Sequence, residues 1–261
     1  MAKQYRVAAQ LFGFRDFMKT PEDLAKTFAK VKKMGYDYGQ ISGCPLAADV
    51  VRKAADNAGL GIIGAHIGLN FFREDEKKVV ADCKTYGTKY VAIPWLNRAD
   101  YKTQADWKKL FKEFDGYAQR FAKQGIVVQY HNHAFEFEKF GIKKGAGGTT
   151  ILEILYGGTK HIQAELDFGW VARGGYNPVL WAQKMKGRLD QVHLKDWGII
   201  DDKPEFRAIG EGSLDWASII KAAKASGTTD FIVEQDSCPA TNDPFLSYSI
   251  SRKNLKEKFG L

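Results

Sequence analysis

The segment IQAELDFGWVARGGYNPVLWAQKMKGRLDQVHLKDW, residues 162–197, contains one complete unit of the pattern that decides the fold. An apolar, β-rich run, IQAELD (162–167), gives way to a turn; Asn177-Pro178 then opens an amphipathic stretch over 178–186, and QVHLK (191–195) is the next apolar run. Asn177 offers a side-chain oxygen to the first free N–H groups, and a proline suits the first helical position. Near-continuously apolar strands separated by helices imply a parallel sheet covered on its outer face.

The same alternation continues on both sides. Upstream lie VAAQL (7–11), YGQI (38–41), GIIGAH (61–66), YVAIP (90–94) and IVVQYH (126–131), and downstream FIVEQ (231–235), which makes eight strands. Helices are expected near 21–34, 47–58, 74–86, 104–124, 149–156, 178–186, 214–226 and 244–258. Thr20-Pro21-Glu22-Asp23 reads as a capped start, and Gly35, Gly59, Gly87, Gly125 and Gly227 stand where a left-handed residue can close a last turn. Eight units in 261 residues come to about 33 residues each, close to the ~250 residues of a (β/α)8 barrel. The expectation is one α/β domain over residues 1–261, a TIM barrel with its chemistry at the C-terminal ends of the strands. A doubly wound sheet would want a phosphate-binding glycine loop after the first strand, and QLFGFRDF (10–17) does not supply one.

Composition narrows the function classes. A content of 44% hydrophobic and 27% charged residues is that of a globular chain. The net charge of +8 is spread along helical faces such as KTFAKVKK (26–33) and WKKLFKEF (107–114), so nucleic acid is not an expected partner. No apolar run approaches the ~20 residues of a spanning helix, and MAKQYRV at the start lacks a signal-like stretch, so a cytoplasmic protein without membrane partners is expected. Cys44, Cys83 and Cys238 are too few and too scattered for a disulfide framework or a zinc ribbon.

Four successive strands end in ionisable residues: QYHNHAFEF (129–137), ELDFGW (165–170), VHLKDW (192–197) and VEQD (233–236). Alternation along a strand puts Gln129 with His131, Glu165 with Asp167, His193 with Lys195, and Glu234 with Asp236. If that face is the lumen, the mouth collects His131, Asp167, His193, Lys195 and Glu234. Unpartnered burial of such charges is costly, and a divalent cation held by carboxylates and imidazoles resolves it; manganese, magnesium, cobalt and zinc all suit mixed oxygen and nitrogen ligands. Lys195 could alternatively pair with Asp196 or Asp236.

At these residues the sequence resembles the xylose-isomerase-like TIM-barrel superfamily of sugar isomerases and epimerases. YHNHAFEF, ELDFGWVARGG, VHLKDW, IGEGSLDW (209–216) and FIVEQD carry the resemblance. It implies Asp167, His193 and Glu234 as three of four ligands to one divalent metal. The glutamate that many relatives carry in strand five aligns with Gln129, a poor ligand. The HNHxFEF form therefore points to Glu136 curling back as the fourth ligand, with His131 competing. Trp170 stands where many relatives have a histidine.

The implied activity is isomerisation or epimerisation of a sugar or keto-sugar through a metal-stabilised enediolate. A lyase, dehydratase or hydrolase acting on a 3-keto-glycoside or inosose is the alternative, and a non-catalytic sugar-binding barrel a minor one. Glu234 is the expected base, His131 or Glu136 its acid–base partner, and Lys195 a group assisting a substrate oxygen. His66, Trp95, His133, Trp170 and Glu211 are the expected substrate contacts. FEKFGIKKGAGG (137–148) reads as a lid and Ser213 as a helix cap, while Phe71, Phe72 and Trp95 would suit a contact between copies.

Overall fold

The eight apolar runs close on themselves. In the computed structural model, which describes residues 4–140 and 147–261, the barrel strands are β1 (Arg6–Gln10), β2 (Tyr38–Ile41), β3 (Gly61–His66), β4 (Tyr90–Ile93), β5 (Val127–His131), β6 (Gln163–Asp167), β7 (Gln191–Leu194) and β8 (Asp230–Val233). All neighbours are parallel, and β8 returns to β1 through Ala8 opposite Ile232. The helices between and after them are α1 (Pro21–Lys33), α2 (Ala48–Ala58), α3 (Leu69–Glu74), α4 (Glu76–Tyr86), α5 (Gln104–Ala122), α6 (Ile151–Gly158), α7 (Phe168–Arg173), α8 (Pro178–Lys184), α9 (Trp216–Ser226) and α10 (Pro244–Phe259). This is a single (β/α)8 barrel. No helix among the described residues is long and apolar enough to cross a membrane.

Local chemistry sets the boundaries. Thr20 Oγ1 accepts the Asp23 N–H at 3.1 Å, and α2, α4 and α9 end on Gly59, Gly87 and Gly227 in the left-handed region. Ser213 is not the cap of α9. Asp215 accepts the Ser218 N–H there, because its carboxylate stands one residue before the helix. The sequence reading also did not place α3, α7, or the antiparallel hairpin formed by Asp196–Ile200 and Lys203–Arg207. That hairpin is tied down by Asp196, whose carboxylate accepts from the Gly210 and Gly212 N–H groups and from Trp216 Nε1 at 2.7 Å.

The apolar core is divided unequally. The large cluster lies between barrel wall and helices, with Phe14, Phe28, Phe72, Trp107, Phe111, Phe114, Phe168 and Trp216 among its members. Inside the barrel the separate apolar cluster is small: Ala8, Ile63 and Ile232, with Tyr38 packed on it. Buried Gln10, Gln40, Gln129 and Gln191 occupy the alternating positions of β1, β2, β5 and β7, so amides fill much of the lumen where branched aliphatics are usual. Phe72, expected at the surface, is buried against Phe121 and Tyr117; Phe71 and Trp95 are exposed.

Candidate active site

At the C-terminal ends of β5 to β8 the alternation brings His131, Asp167, His193, Lys195 and Glu234 together, none more than 4% exposed. His131, Asp167, His193 and Glu234 can each turn one ligand atom toward a common point, with these atoms within 4.8 Å of one another. His193 Nδ1 lies 2.5 Å from Glu234 Oε2, and His131 Nε2 lies 3.8 Å from the same oxygen. Lys195 Nζ sits 3.2 Å from Asp167 Oδ2, 3.4 Å from Glu234 Oε2 and 2.8 Å from Asp236 Oδ2, so one ammonium serves three carboxylates. Asp196, on the opposite side of the strand, takes no part.

Charge follows from these contacts. Burial alone would raise Glu234, but Lys195 and His193 hold its carboxyl well below the usual range. Burial opposes protonation of His193, yet Glu165 and Glu234 overcome it and its pKa rises to about 10. His131 goes the other way: burial, reinforced by the neighbouring His193, pushes it down to about 3, so its ring is neutral. Burial lifts Asp167 to about 6 against the pull of Lys195.

Glu136 does not reach this cluster. After His131 the chain turns at Asn132, and a short helical turn over Phe135–Phe137 carries Glu136 to the outside of the wall. There Tyr130 Oη donates to Glu136 Oε1 at 2.6 Å and the His133 N–H to Oε2 at 2.8 Å. Tyr130 packs against Phe111 and Phe114 of α5, which shows that this is the barrel's outer face. Gln129 is excluded for another reason: it is two residues below His131, a rise of about 6.6 Å. The strand-five side chain that joins the other three is His131.

Glu136 yields a prediction about stability. Burial pushes its carboxyl from 4.5 up to about 8 despite the two donors. The unfolded chain therefore gives up this proton first, and the stability present below about pH 4.5 is lost as pH rises through about 8. Glu136→Gln, which keeps one acceptor for the His133 N–H, is expected to flatten that decline and to be the more stable protein at pH 8. Urea unfolding at pH 5 and pH 8 measures it; equal pH dependence in both proteins would contradict the reading.

The other expected contacts divide. His66 joins from below: its Nε2 donates to Glu165 Oε2 at 2.7 Å, and Gln10 Nε2 lies 3.3 Å from its Nδ1. His133 and Trp170 form a wall, their rings 5.4 Å apart, and Lys195 Nζ lies 4.9 Å from the centre of the Trp170 ring. Gly169 permits this approach, since a Cβ there would stand 2.2 Å from the Lys195 carbonyl oxygen. Trp95 is exposed beyond β4. Glu211 instead accepts from Asn254 and Lys258 of α10. Half of the expected lid, residues 141–146, lies outside the described ones; at its base Lys139–Phe140 pairs with Thr149–Thr150. Glu165, fully buried at the cluster's floor, was noted in the sequence only for its direction, because its carboxylate precedes the strand end by two residues.

A cleft of about 790 Å³ adjoins the cluster at His66. It runs outward between the loop after β2 and helices α3 and α4, past Phe12, Leu46, Ile67 and Phe71. Glu74, Asp75 and Asp82 also line it, with Lys78, whose ammonium is paired to Asp82 at 2.6 Å.

A family model for the xylose isomerase-like TIM barrel matches residues 28–245. The chain belongs to this family. Among curated relatives of this xylose isomerase-like barrel, an inosose dehydratase of Clostridium beijerinckii is 23% identical over 256 residues, 83% of each protein. An inosose dehydratase of Bacillus anthracis is 25% identical over 187 residues, covering 65% of this chain and 60% of that one. Among solved structures, a sugar phosphate isomerase/epimerase from Parabacteroides distasonis superposes with a TM-score of 0.80 at 24% identity, over 98% of this chain and 94% of the other. A 3-keto-D-glucoside 4-epimerase from E. coli has a TM-score of 0.67 at 19% identity, over 97% and 99%.

Proposed function

We propose that this xylose isomerase-like barrel is a divalent-metal-dependent isomerase or epimerase of a sugar or keto-sugar. The observation that carries the reading is the buried group His131, Asp167, His193 and Glu234 converging on one point beside Lys195. The residues fit a divalent ion. They offer two carboxylates and two imidazoles, and Asp167 Oδ2, fully buried, makes no formed hydrogen bond among the described residues and faces only the Lys195 ammonium at 3.2 Å. His131 replaces Glu136 as the fourth ligand.

A divalent ion held there supplies Lewis-acid polarisation of a substrate carbonyl and its neighbouring hydroxyl. The chain supplies the rest. Glu234, ionised at neutral pH, is placed to accept the proton from the carbon next to that carbonyl. Lys195, whose pKa the surrounding carboxylates raise against its burial, stays charged and donates a hydrogen bond to the oxygen that gains negative charge. His133 and Trp170 bound the substrate on the far side, and their bulk keeps water from the reacting carbon. Return of the proton to the other carbon isomerises, and return to the opposite face epimerises.

The cleft beside His66 favours a second reading. A free monosaccharide leaves most of its 790 Å³ empty, whereas a glycoside or inosose derivative can place a substituent against Phe12, Phe71 and Leu46. In such a substrate, loss of the proton to Glu234 is followed by expulsion of the β-oxygen substituent, an elimination.

One experiment separates the readings. The manganese-loaded protein is incubated with a 3-keto-glycoside in D2O, and NMR follows the C–H signals and the aglycone. Deuterium entry with the glycosidic bond intact supports isomerisation or epimerisation, and aglycone release supports elimination. Saturable binding with neither event would leave a sugar-binding barrel and end both enzymatic readings.

A further inference from the structure

Below the four proposed ligands lies a second convergence that the mechanism leaves unused. Glu165 Oε2 is 2.7 Å from His66 Nε2, 3.3 Å from His193 Nε2 and 3.5 Å from His131 Nδ1, while Gln40 Nε2 donates to Glu165 Oε1 at 2.5 Å. The rings of His131 and His193 therefore each have two differently occupied sides. Their upper nitrogens, His131 Nε2 and His193 Nδ1, face Glu234. Their lower nitrogens, His131 Nδ1 and His193 Nε2, are buried, make no formed hydrogen bond among the described residues, and have Glu165 Oε2 as the carboxylate oxygen they face, at 3.5 and 3.3 Å.

We propose that Glu165 is a positioning residue: it is the one acceptor for the lower N–H groups of His131 and His193, and so leaves the upper nitrogens bare for the ion. A histidine ligand binds through an unprotonated nitrogen, and a carboxylate on its other N–H fixes the tautomer, orients the ring and makes it a better donor. Here one carboxylate does this for two ligands on different strands. Gln40 and His66 orient the carboxylate in turn, and the hydrogen bond from Gln10 to His66 Nδ1 matches a His66 ring that carries its proton on Nε2.

His66, His131, Glu165 and His193 also have the composition of a cation site. Filling it together with the upper group would strip both ring protons from His131 and from His193. A single ion above and N–H groups below avoids that cost, so Glu165 acts as an acceptor and not as a ligand.

The proposal rests on the reading of His131, Asp167, His193 and Glu234 as metal ligands, and two measurements keep the two ideas apart. Manganese titration by calorimetry is expected to give one ion per wild-type chain. Glu165→Gln, which keeps a single acceptor oxygen and adds an NH2 group, should bind with the same stoichiometry but about 10 to 100-fold more weakly, with its circular dichroism unchanged. Nitrogen-15 NMR of the metal-free protein should place the single ring proton of neutral His131 on Nδ1 in the wild type, and show mixed tautomers of that ring in the variant. An affinity within threefold of the wild type, or two ions per wild-type chain, would overturn the role of Glu165. Should the wild type bind no manganese, the metal reading falls, and the tautomer of His131 in the metal-free protein still decides for or against Glu165.

Discussion

Replacing Glu234 with glutamine is expected to lower kcat by roughly 10³-fold, the size of a lost general base, with the fold retained. Glutamine matches the shape of the side chain but cannot take a proton, and it removes the charge that faces Lys195 and His193. Both cations keep other partners, Lys195 at Asp167 and Asp236 and His193 at Glu165, so stability should change little. Turnover assays beside thermal unfolding check this. Activity within tenfold of the wild type would remove Glu234 from the proton-transfer step, and an unfolded variant would show that its charge is needed for the barrel itself.

Lys195→Met should produce the largest change in stability. The ammonium lies between the buried carboxylates of Asp167 and Glu234 and the partly exposed one of Asp236, and an apolar replacement of similar length leaves the three facing one another. Breaking a buried ion pair by removing one partner typically costs about 3–5 kcal/mol. The metal-free variant is expected to lose stability on that scale, and added manganese should restore more stability to it than to the wild type, because the ion brings positive charge back to the same oxygens. Chemical unfolding with and without manganese measures both. Equal stabilisation of the two proteins by the ion would contradict the placement of ion and lysine on shared carboxylates.

The barrel was legible because its signals are local. Strand composition, the capped helix starts and the closing glycines act within a few residues, and the eight strands stand within a residue or two of the runs marked by their side chains. The cluster was legible for a related reason: period two fixes which residues share a face. It does not fix depth. Gln129 and Glu165 share faces with His131 and Asp167 yet lie one pleat lower, which is why Gln129 stood as a candidate ligand and why the place of Glu165 beneath two histidines was not visible. Glu136 was misplaced because a three-residue turn reverses the side on which a side chain emerges, and HNHxFEF contains no glycine or proline to mark it. The hairpin after Asp196 is held by contacts between residues 14 to 20 positions apart, beyond the reach of a periodicity argument.

The unequal division of the apolar core has a consequence for how such a protein can change over evolutionary time. Most of the cohesion lies between wall and helices, while the lumen holds the amides, acids and imidazoles of the cluster and only a small apolar group. Lumen residues can then be exchanged for one another, an acid for an amide or a histidine for a glutamate, while the packing that maintains the fold stays as it is. Exchanges that keep the cluster's charges balanced therefore leave the fold's packing untouched, so a lineage built on this barrel can acquire new chemistry through them, whereas a change that strands a charge, as at Lys195, needs a compensating one.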